Sequence, residues 1–340
     1  MQKAILFEKL PAKSCRCNVC LRQCIILPDQ FGYCKTRKNI DGEIFSLIYG
    51  KVSCAMLDPI EKKPLYHFHP GSKVYSLGSY GCNFRCDFCQ NWDISFAQGD
   101  EMDFEIEQEM SPEKAIANAK NLKASGIAWT YNEPAIWVEY ARDCAILARE
   151  ENLYTVYVTN GYATRNGLDE IGPYLDAYRV DIKSMEDKFY QELIRIPSVK
   201  PILETTARAH DKWKMHIEII TNIIPTKNDS HENLRNIARF IKKELGPKTP
   251  WHITRFFPSA NLINLPMTPI TTLKEAYEIG RGEGLEFVYL GNVGPEFGQE
   301  TYCPKCNALA IQRDGYDTKI INVDEKGHCK TCKENLNIKI

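Results

Sequence analysis

Three cysteines, Cys82, Cys86 and Cys89, stand in the run Gly81-Cys82-Asn83-Phe84-Arg85-Cys86-Asp87-Phe88-Cys89-Gln90-Asn91-Trp92. This C-x3-C-x2-C spacing constrains the chain more than any other stretch. Three thiolates at this spacing can hold three corners of a cubane iron–sulfur cluster. A closed electron-transfer cluster takes four thiolates, so the fourth iron is left open to a small molecule. The alternative, three core cysteines in a strand and turn, explains neither the glycine-led loop nor the spacing.

The other cysteines follow the same logic. There are fourteen in 340 residues, gathered mostly as C-x2-C pairs near the two ends, with Cys144 alone in the long middle. That clustering suits metal binding in a reducing compartment better than a disulfide framework. No apolar run approaches the ~18 residues of a membrane span, and Met1 to Leu10 lacks a signal-peptide core. A cytoplasmic protein with no membrane partner is expected. The formal net charge of −1 gives no global pull toward nucleic acid. Residues 1–40 nevertheless hold eight Lys/Arg against two acids, a local +6 that is expected to balance metal–thiolate centres.

From Val74 onward strands and helices alternate. Val74–Tyr80 is predicted as a strand running into the cysteine loop. Ser111-Pro112 opens a helix with an N-cap and a first-turn proline, its apolar face carrying Ala115, Ile116, Ala119 and Leu122. Further strands are predicted at Ile127–Tyr131, Tyr154–Thr159, Ala177–Ile182, Met215–Thr221, His252–Phe256 and Phe287–Leu290. Capping boxes predict helix starts near Asp229 and Thr272. Such alternation implies an α/β fold with parallel strands, here a partial or near-complete (β/α) barrel at 71–298. A cysteine-rich segment and connector precede it at 1–70, and a cysteine-rich tail follows at 299–340.

In a parallel barrel the active-site residues sit where strands end. The predicted strand ends here are polar: Thr130-Tyr131-Asn132-Glu133-Pro134, Thr159-Asn160-Gly161-Tyr162 and Asp181-Ile182-Lys183. Each residue alone could be a helix cap or an ion pair, but their recurrence at successive ends predicts one shared site. His252 and Arg255 add two more candidates near a sixth strand.

The cysteine motif resembles the signature of radical S-adenosylmethionine (SAM) enzymes. That resemblance implies a [4Fe-4S] cluster whose open iron is chelated by SAM, with Phe88 at the position where the family commonly has an aromatic. It also fits the strand ends: Glu133 suits the SAM amino group, Lys183 its carboxylate, and Asn160 and Asp181 its ribose or carboxylate, with His252 a further cofactor contact. More closely, the chain resembles the AmmeMemoRadiSam-system radical SAM proteins, relatives of pyruvate formate-lyase activating enzymes. The residues carrying this are 58–68 (Asp58-Pro59-Ile60-Glu61-Lys62-Lys63-Pro64 and onward), Gly81–Trp92, Tyr131-Asn132-Glu133-Pro134, Thr159-Asn160-Gly161, Asp181-Ile182-Lys183 and Tyr289-Leu290-Gly291-Asn292. Related enzymes have a Gly-Gly-Glu segment where this chain has Tyr131-Asn132-Glu133, so Glu133 is the residue carried over.

The implied chemistry is reductive cleavage of SAM by one electron from a flavodoxin- or ferredoxin-like donor. The products are methionine and a 5′-deoxyadenosyl radical that abstracts hydrogen from a substrate. The resemblance also makes Memo-like and AMMECR-type proteins candidate partners.

Two more cysteine sets are expected to be metal centres. Cys303-Pro304-Lys305-Cys306 and Cys329-Lys330-Thr331-Cys332 have the zinc-ribbon pattern, a closed tetrahedral Zn2+ site. Cys17, Cys20, Cys24 and Cys34 supply four further ligands, for Zn2+ or a second iron–sulfur cluster; spacing does not choose between them. Cys15 is surplus. Cys54 and Cys144 are expected to be core thiols, and His67 and His69 structural. Two other functions remain in view: a non-catalytic iron–sulfur and zinc scaffold, and a nucleic-acid binder built on the ribbon. The second is disfavoured by a tail with seven Lys/Arg against five acids.

Overall fold

The computed structural model describes residues 1–96, 109–294 and 299–340. Its centre is an eight-stranded sheet whose strands follow one another in chain order. They are β1 Cys54–Pro59, β2 Lys73–Gly78, β3 Gly126–Trp129, β4 Tyr154–Thr159, β5 Ala177–Asp181, β6 His216–Ile223, β7 Trp251–Arg255 and β8 Val288–Gly291. Strands β2 to β8 are parallel, and β1 lies antiparallel on the β2 edge. The parallel strands β2 to β8 are buried along almost their whole length, as strands covered on both faces must be; the edge strand β1 is only partly buried.

Helices fill the connections between the parallel strands, the longest described one in each being α1 Pro112–Asn121, α2 Val138–Glu150, α3 Arg165–Ile171, α4 Lys200–Asp211, α5 His231–Phe240 and α6 Ile270–Gly282. The strand order never reverses, so the winding is that of a barrel and not of a doubly wound sheet. Edge strands β1 and β8 do not pair with each other. The barrel is therefore partial.

Several local expectations shift. Ser111 caps α1, its hydroxyl accepting from Lys114 N at 3.3 Å, but Leu122 ends that helix and is exposed. The cap of α5 is Ser230, which accepts from Asn233 N, one residue beyond the Asp229 box. Helix α6 starts at Ile270, ahead of Thr272. Cys54–Pro59, assigned from sequence to the connector, is a strand of the main sheet. Cys54 itself is half-buried, not a core thiol, whereas Cys144 is wholly buried. The expected 298/299 boundary lies outside the described residues.

Residues ahead of β1 form two small three-stranded antiparallel sheets. They are pinned to α2 by a buried ion pair, Arg37 Nη2 to Glu139 Oε2 at 2.6 Å. The basic excess of this segment is largely spent on acids: Lys3 and Lys9 pair with Glu43, Lys13 with Asp41 and Arg16 with Glu8. The tail carries a hairpin, Leu309–Asp314 and Asp317–Ile320. It packs on the segment between β1 and β2, where Arg313 Nη2 donates to Tyr66 O and Lys339 N to His67 O, both at 2.7 Å.

Candidate active site

The C-terminal ends of the parallel strands open onto a cavity of about 360 Å3, a volume suited to a small molecule. Cys82, Cys86 and Cys89 line it, delivered by the loop after β2, together with Phe88. Glu133, Asn160, Asp181 and Lys183 line it too. Four strand ends thus bring the expected residues to one place, because a parallel sheet points all its C-terminal ends the same way.

Glu133 is wholly enclosed. Its Oε1 accepts from Thr159 Oγ1 at 2.6 Å and Ala135 N at 2.9 Å, and its Oε2 from Asn160 N at 2.8 Å. Among the described residues no cation pairs with it. Burial pushes its carboxyl up to about 7 in spite of the three donors. Asp181 behaves oppositely. Burial would raise it, but the Arg179 and Lys183 charges hold it below the usual carboxylate range; Lys183 Nζ donates at 3.0 Å and Arg179 also pairs with it. Lys183 lies 5.5 Å from the Phe88 ring centroid. Asn160 Nδ2 donates to Asn83 Oδ1 at 2.7 Å, tying its strand end to the cysteine loop.

At the cavity mouth Tyr131 donates to Asp58 Oδ2 at 2.7 Å, and Lys63 pairs with the same oxygen at 2.6 Å. Tyr131 has φ 71°, left-handed backbone that disfavours a bulky residue. Gly78 makes room for it, since a Cβ there would stand 2.9 Å from the Tyr131 ring. Arg179, Asn222 and Thr254 also line the cavity. The polar residues in buried strands β5 to β7 were the available sequence signal for them.

His252 is not at the cavity. It sits inside the barrel nearer the opposite end, its Nε2 2.6 Å from Glu218 Oε2. The other Glu218 oxygen meets His216 Nε2 at 3.0 Å, and Tyr66 N and His67 N also donate to this carboxylate. The expectation that His252 faces a cofactor is therefore corrected: it holds the floor of the barrel. Arg255 is likewise engaged elsewhere, donating to Thr268 O. His67 is structural, 2.6 Å from Tyr289 OH, and His69 stacks on Tyr154.

Cys303, Cys306, Cys329 and Cys332 form a compact tetrathiol whose sulfurs all lie within 4.8 Å of one another, fit to hold a metal ion; His328 is not part of it. Cys17, Cys20, Cys24 and Cys34 line a second, small cavity from which Cys15 is absent.

Residues 77–241 match the radical SAM superfamily. The chain is 41% identical to an uncharacterized protein of Methanocaldococcus jannaschii over 339 residues, 99% of each chain. The chain belongs to the radical SAM superfamily. More distant relatives are the pyruvate formate-lyase 1-activating enzyme of Escherichia coli, 23% identical over 48% of this chain and 65% of that enzyme, and the pyruvate formate-lyase-activating enzyme of Clostridium pasteurianum, 26% identical over 48% of this chain and 66% of that one. Membership brings a [4Fe-4S] cluster and SAM, and the cavity fits both. Its three cysteines are spread more widely than the compact C-terminal four, as a cubane needs. Beside them the enclosed Glu133 carboxylate has neutral donors only, which leaves its charge for a ligand cation.

Proposed function

We propose that this chain is a radical SAM enzyme of activating-enzyme type, cleaving SAM reductively and using the resulting radical to abstract hydrogen from a partner protein. The observation that carries the reading is one cavity holding both the three-cysteine set and an enclosed carboxylate without a counter-cation. Cys82, Cys86 and Cys89 hold three irons of the cluster, which when bound supplies one electron to the SAM sulfonium. Glu133 receives the amino group, already fixed in orientation by Thr159, Ala135 and Asn160. Lys183 takes the carboxylate, with Asp181 holding the lysine in place, and Asn160 lies within reach of the ribose. Phe88, whose ring meets Phe189 and lies beside Lys183, supplies an apolar part of the cavity wall. The residues thus bind and orient, while the cofactors carry the radical chemistry.

A protein substrate is favoured by the likeness to enzymes named as activators of pyruvate formate-lyase; a small molecule or nucleobase is the other reading. A flavodoxin- or ferredoxin-like donor, Memo-like and AMMECR-type partners and a cytoplasmic setting complete the proposal. The C-terminal tetrathiol is assigned Zn2+.

Anaerobic reconstitution and reduction, followed by incubation with SAM, tests the core of it. The expected products are 5′-deoxyadenosine and methionine, with none from Cys89→Ala. Their absence from the reconstituted wild type would sink the reading. An organic radical signal on a candidate partner separates protein activation from transfer of substrate label into 5′-deoxyadenosine.

A further inference from the structure

The second cavity has properties that the catalytic reading leaves unused. Cys17, Cys20, Cys24 and Cys34 all line it, joined by Arg22, Arg37 and Asn83. The way their sulfurs are spaced distinguishes what they can hold. A tetrahedral zinc with Zn–S near 2.3 Å draws its sulfurs to about 3.8 Å from one another. The C-terminal four meet that pattern, with Cys303 to Cys332 at 3.5 Å and Cys306 to Cys329 at 3.7 Å. Among the described residues they are the group of three or more ligating side chains that closes within 4.8 Å. No three of the N-terminal cysteines close that far, and neither do Cys82, Cys86 and Cys89. The N-terminal set shares its wider spacing with the cysteines of the radical SAM motif, not with the zinc-like tail.

A second observation concerns the donors. Arg22 Nη2, Arg37 Nε and Asn83 Nδ2 are buried N–H groups without a partner, and all three belong to residues of this cavity wall. Asn83 and Arg37 are almost entirely enclosed. Buried donors left unmade are expensive, so three around one cavity point to an acceptor that belongs inside it. A lone zinc ion offers no acceptor beyond the thiolates. Inorganic sulfides of an iron–sulfur cluster add several, and hydrogen bonds to cluster sulfur set its potential. Two thiols already have donors: Tyr33 N reaches Cys24 Sγ at 3.4 Å and Thr36 Oγ1 reaches Cys34 Sγ at 3.2 Å.

We propose that Cys17, Cys20, Cys24 and Cys34 hold an iron–sulfur cluster, closed by four thiolates, that relays single electrons to the cluster at Cys82. Closure leaves no iron open for SAM, so the centre carries electrons and does not bind that cofactor. The two centres meet at Asn83, which follows Cys82 in the chain, lines the N-terminal cavity and accepts from Arg22 Nε through its carbonyl at 2.9 Å. One electron enters from a low-potential protein donor of the ferredoxin or flavodoxin class and one leaves for the Cys82 centre, with no net change in the relay.

The test uses the full chain prepared anaerobically with iron and sulfide, its metals counted and its reduced clusters examined by electron paramagnetic resonance. In Cys82→Ala/Cys86→Ala/Cys89→Ala, about four irons and about four sulfides per chain are expected to remain, with a signal that SAM does not alter. In Cys20→Ser/Cys24→Ser, iron is expected to fall from about eight to about four per chain, while the remaining signal still responds to SAM. Reduction of that remaining cluster by a reduced ferredoxin is expected to slow at least about tenfold, with reduction by dithionite unchanged. About two zinc ions and about four irons in the wild type, with no iron in the triple variant, would overturn the cluster; unchanged ferredoxin rates would overturn the relay. Failure of the SAM reading looks different: the Cys82 centre would then ignore SAM whatever the N-terminal set holds.

Discussion

Glu133 concentrates the chemistry of the site in one side chain. Its folded value of about 7 stands above the ordinary 4.5 because burial outweighs three donors. The sign follows directly: the stability this group contributes in the ligand-free protein is complete below pH 4.5 and is lost as pH rises through about 7. An amino group donating its N–H to this carboxylate reverses the balance, since such a ligand favours the ionised acceptor. SAM affinity is therefore expected to climb by about tenfold in all between pH 6 and pH 8, levelling off above the Glu133 value of about 7, as measured by calorimetric titration. Glu133→Gln should flatten that dependence and weaken binding at pH 8 by roughly ten- to a hundredfold. A flat profile in the wild type would remove Glu133 from the amino-group role. This residue, like Asn160, Asp181 and Lys183, was legible because polar side chains at successive strand ends of a parallel sheet converge. His252 was misjudged for a reason of depth. Alternation along β7 places it on the same face as Thr254, which does line the cavity, but two residues further down the strand that face meets Glu218 instead. Period tells which way a side chain points, and not which layer of the barrel it reaches.

At the scale of elements, the N-terminal sheets depend on α2. Arg37 spans the gap, bonding Glu139 through both terminal nitrogens and Ile136 O as well. Glu139 additionally accepts from Ile5 N. Glu139→Gln leaves the arginine charge buried without compensation, a loss expected to be about 3–5 kcal/mol. It should appear as a lower urea midpoint and as early proteolytic cleavage ahead of β1. A paired Arg37→Met/Glu139→Leu replacement is expected to recover much of the loss, because the desolvation of both charges disappears with them. If the single and paired variants unfold alike, the ion pair is not what anchors this segment. Sequence signals at this scale located the buried parallel strands to within a residue or two, since long aliphatic runs have few other readings. They missed β1, whose end at Asp58-Pro59 resembles a turn; a proline is tolerated there because the strand lies at the sheet edge. They also displaced the α5 cap to Asp229, since adjacent Asp229 and Ser230 both suit an N-cap and only the backbone decides which hydroxyl or carboxylate faces Asn233 N.

The molecule as a whole has two ends with different work. The strand C-termini hold the cavity proposed for SAM, while the opposite end is stopped by the segment between β1 and β2 and by the tail. Their shared apolar core joins Tyr66, Phe287 and Tyr289 to Cys303, Cys329, Ile311, Val323, Leu336 and Ile338. Polar contacts continue the seam: Arg313 reaches Tyr66 O, Gln299 O and Thr301 Oγ1, and Tyr289 OH meets Thr301 Oγ1 at 2.8 Å. So small a core calls for a further staple, which a metal at the tetrathiol would supply, yet none of its residues lines the cavity at the strand C-termini. Cys332→Ser, at the half-exposed member of the set, is therefore expected to release the ribbon's metal and open the tail to proteolysis. With about 1–2 kcal/mol lost, the melting temperature should fall by roughly 2–8 °C. Iron content and SAM affinity should stay near the wild-type values, because Glu218 still binds Tyr66 N and His67 N and so keeps the floor of the barrel closed. Metal analysis, thermal melting and SAM titration on one preparation decide between two designs. A fall in SAM affinity that tracks the loss of ribbon metal would mean that the two ends are coupled through the Glu218–His252 pair. Independent behaviour would make the ribbon a staple alone.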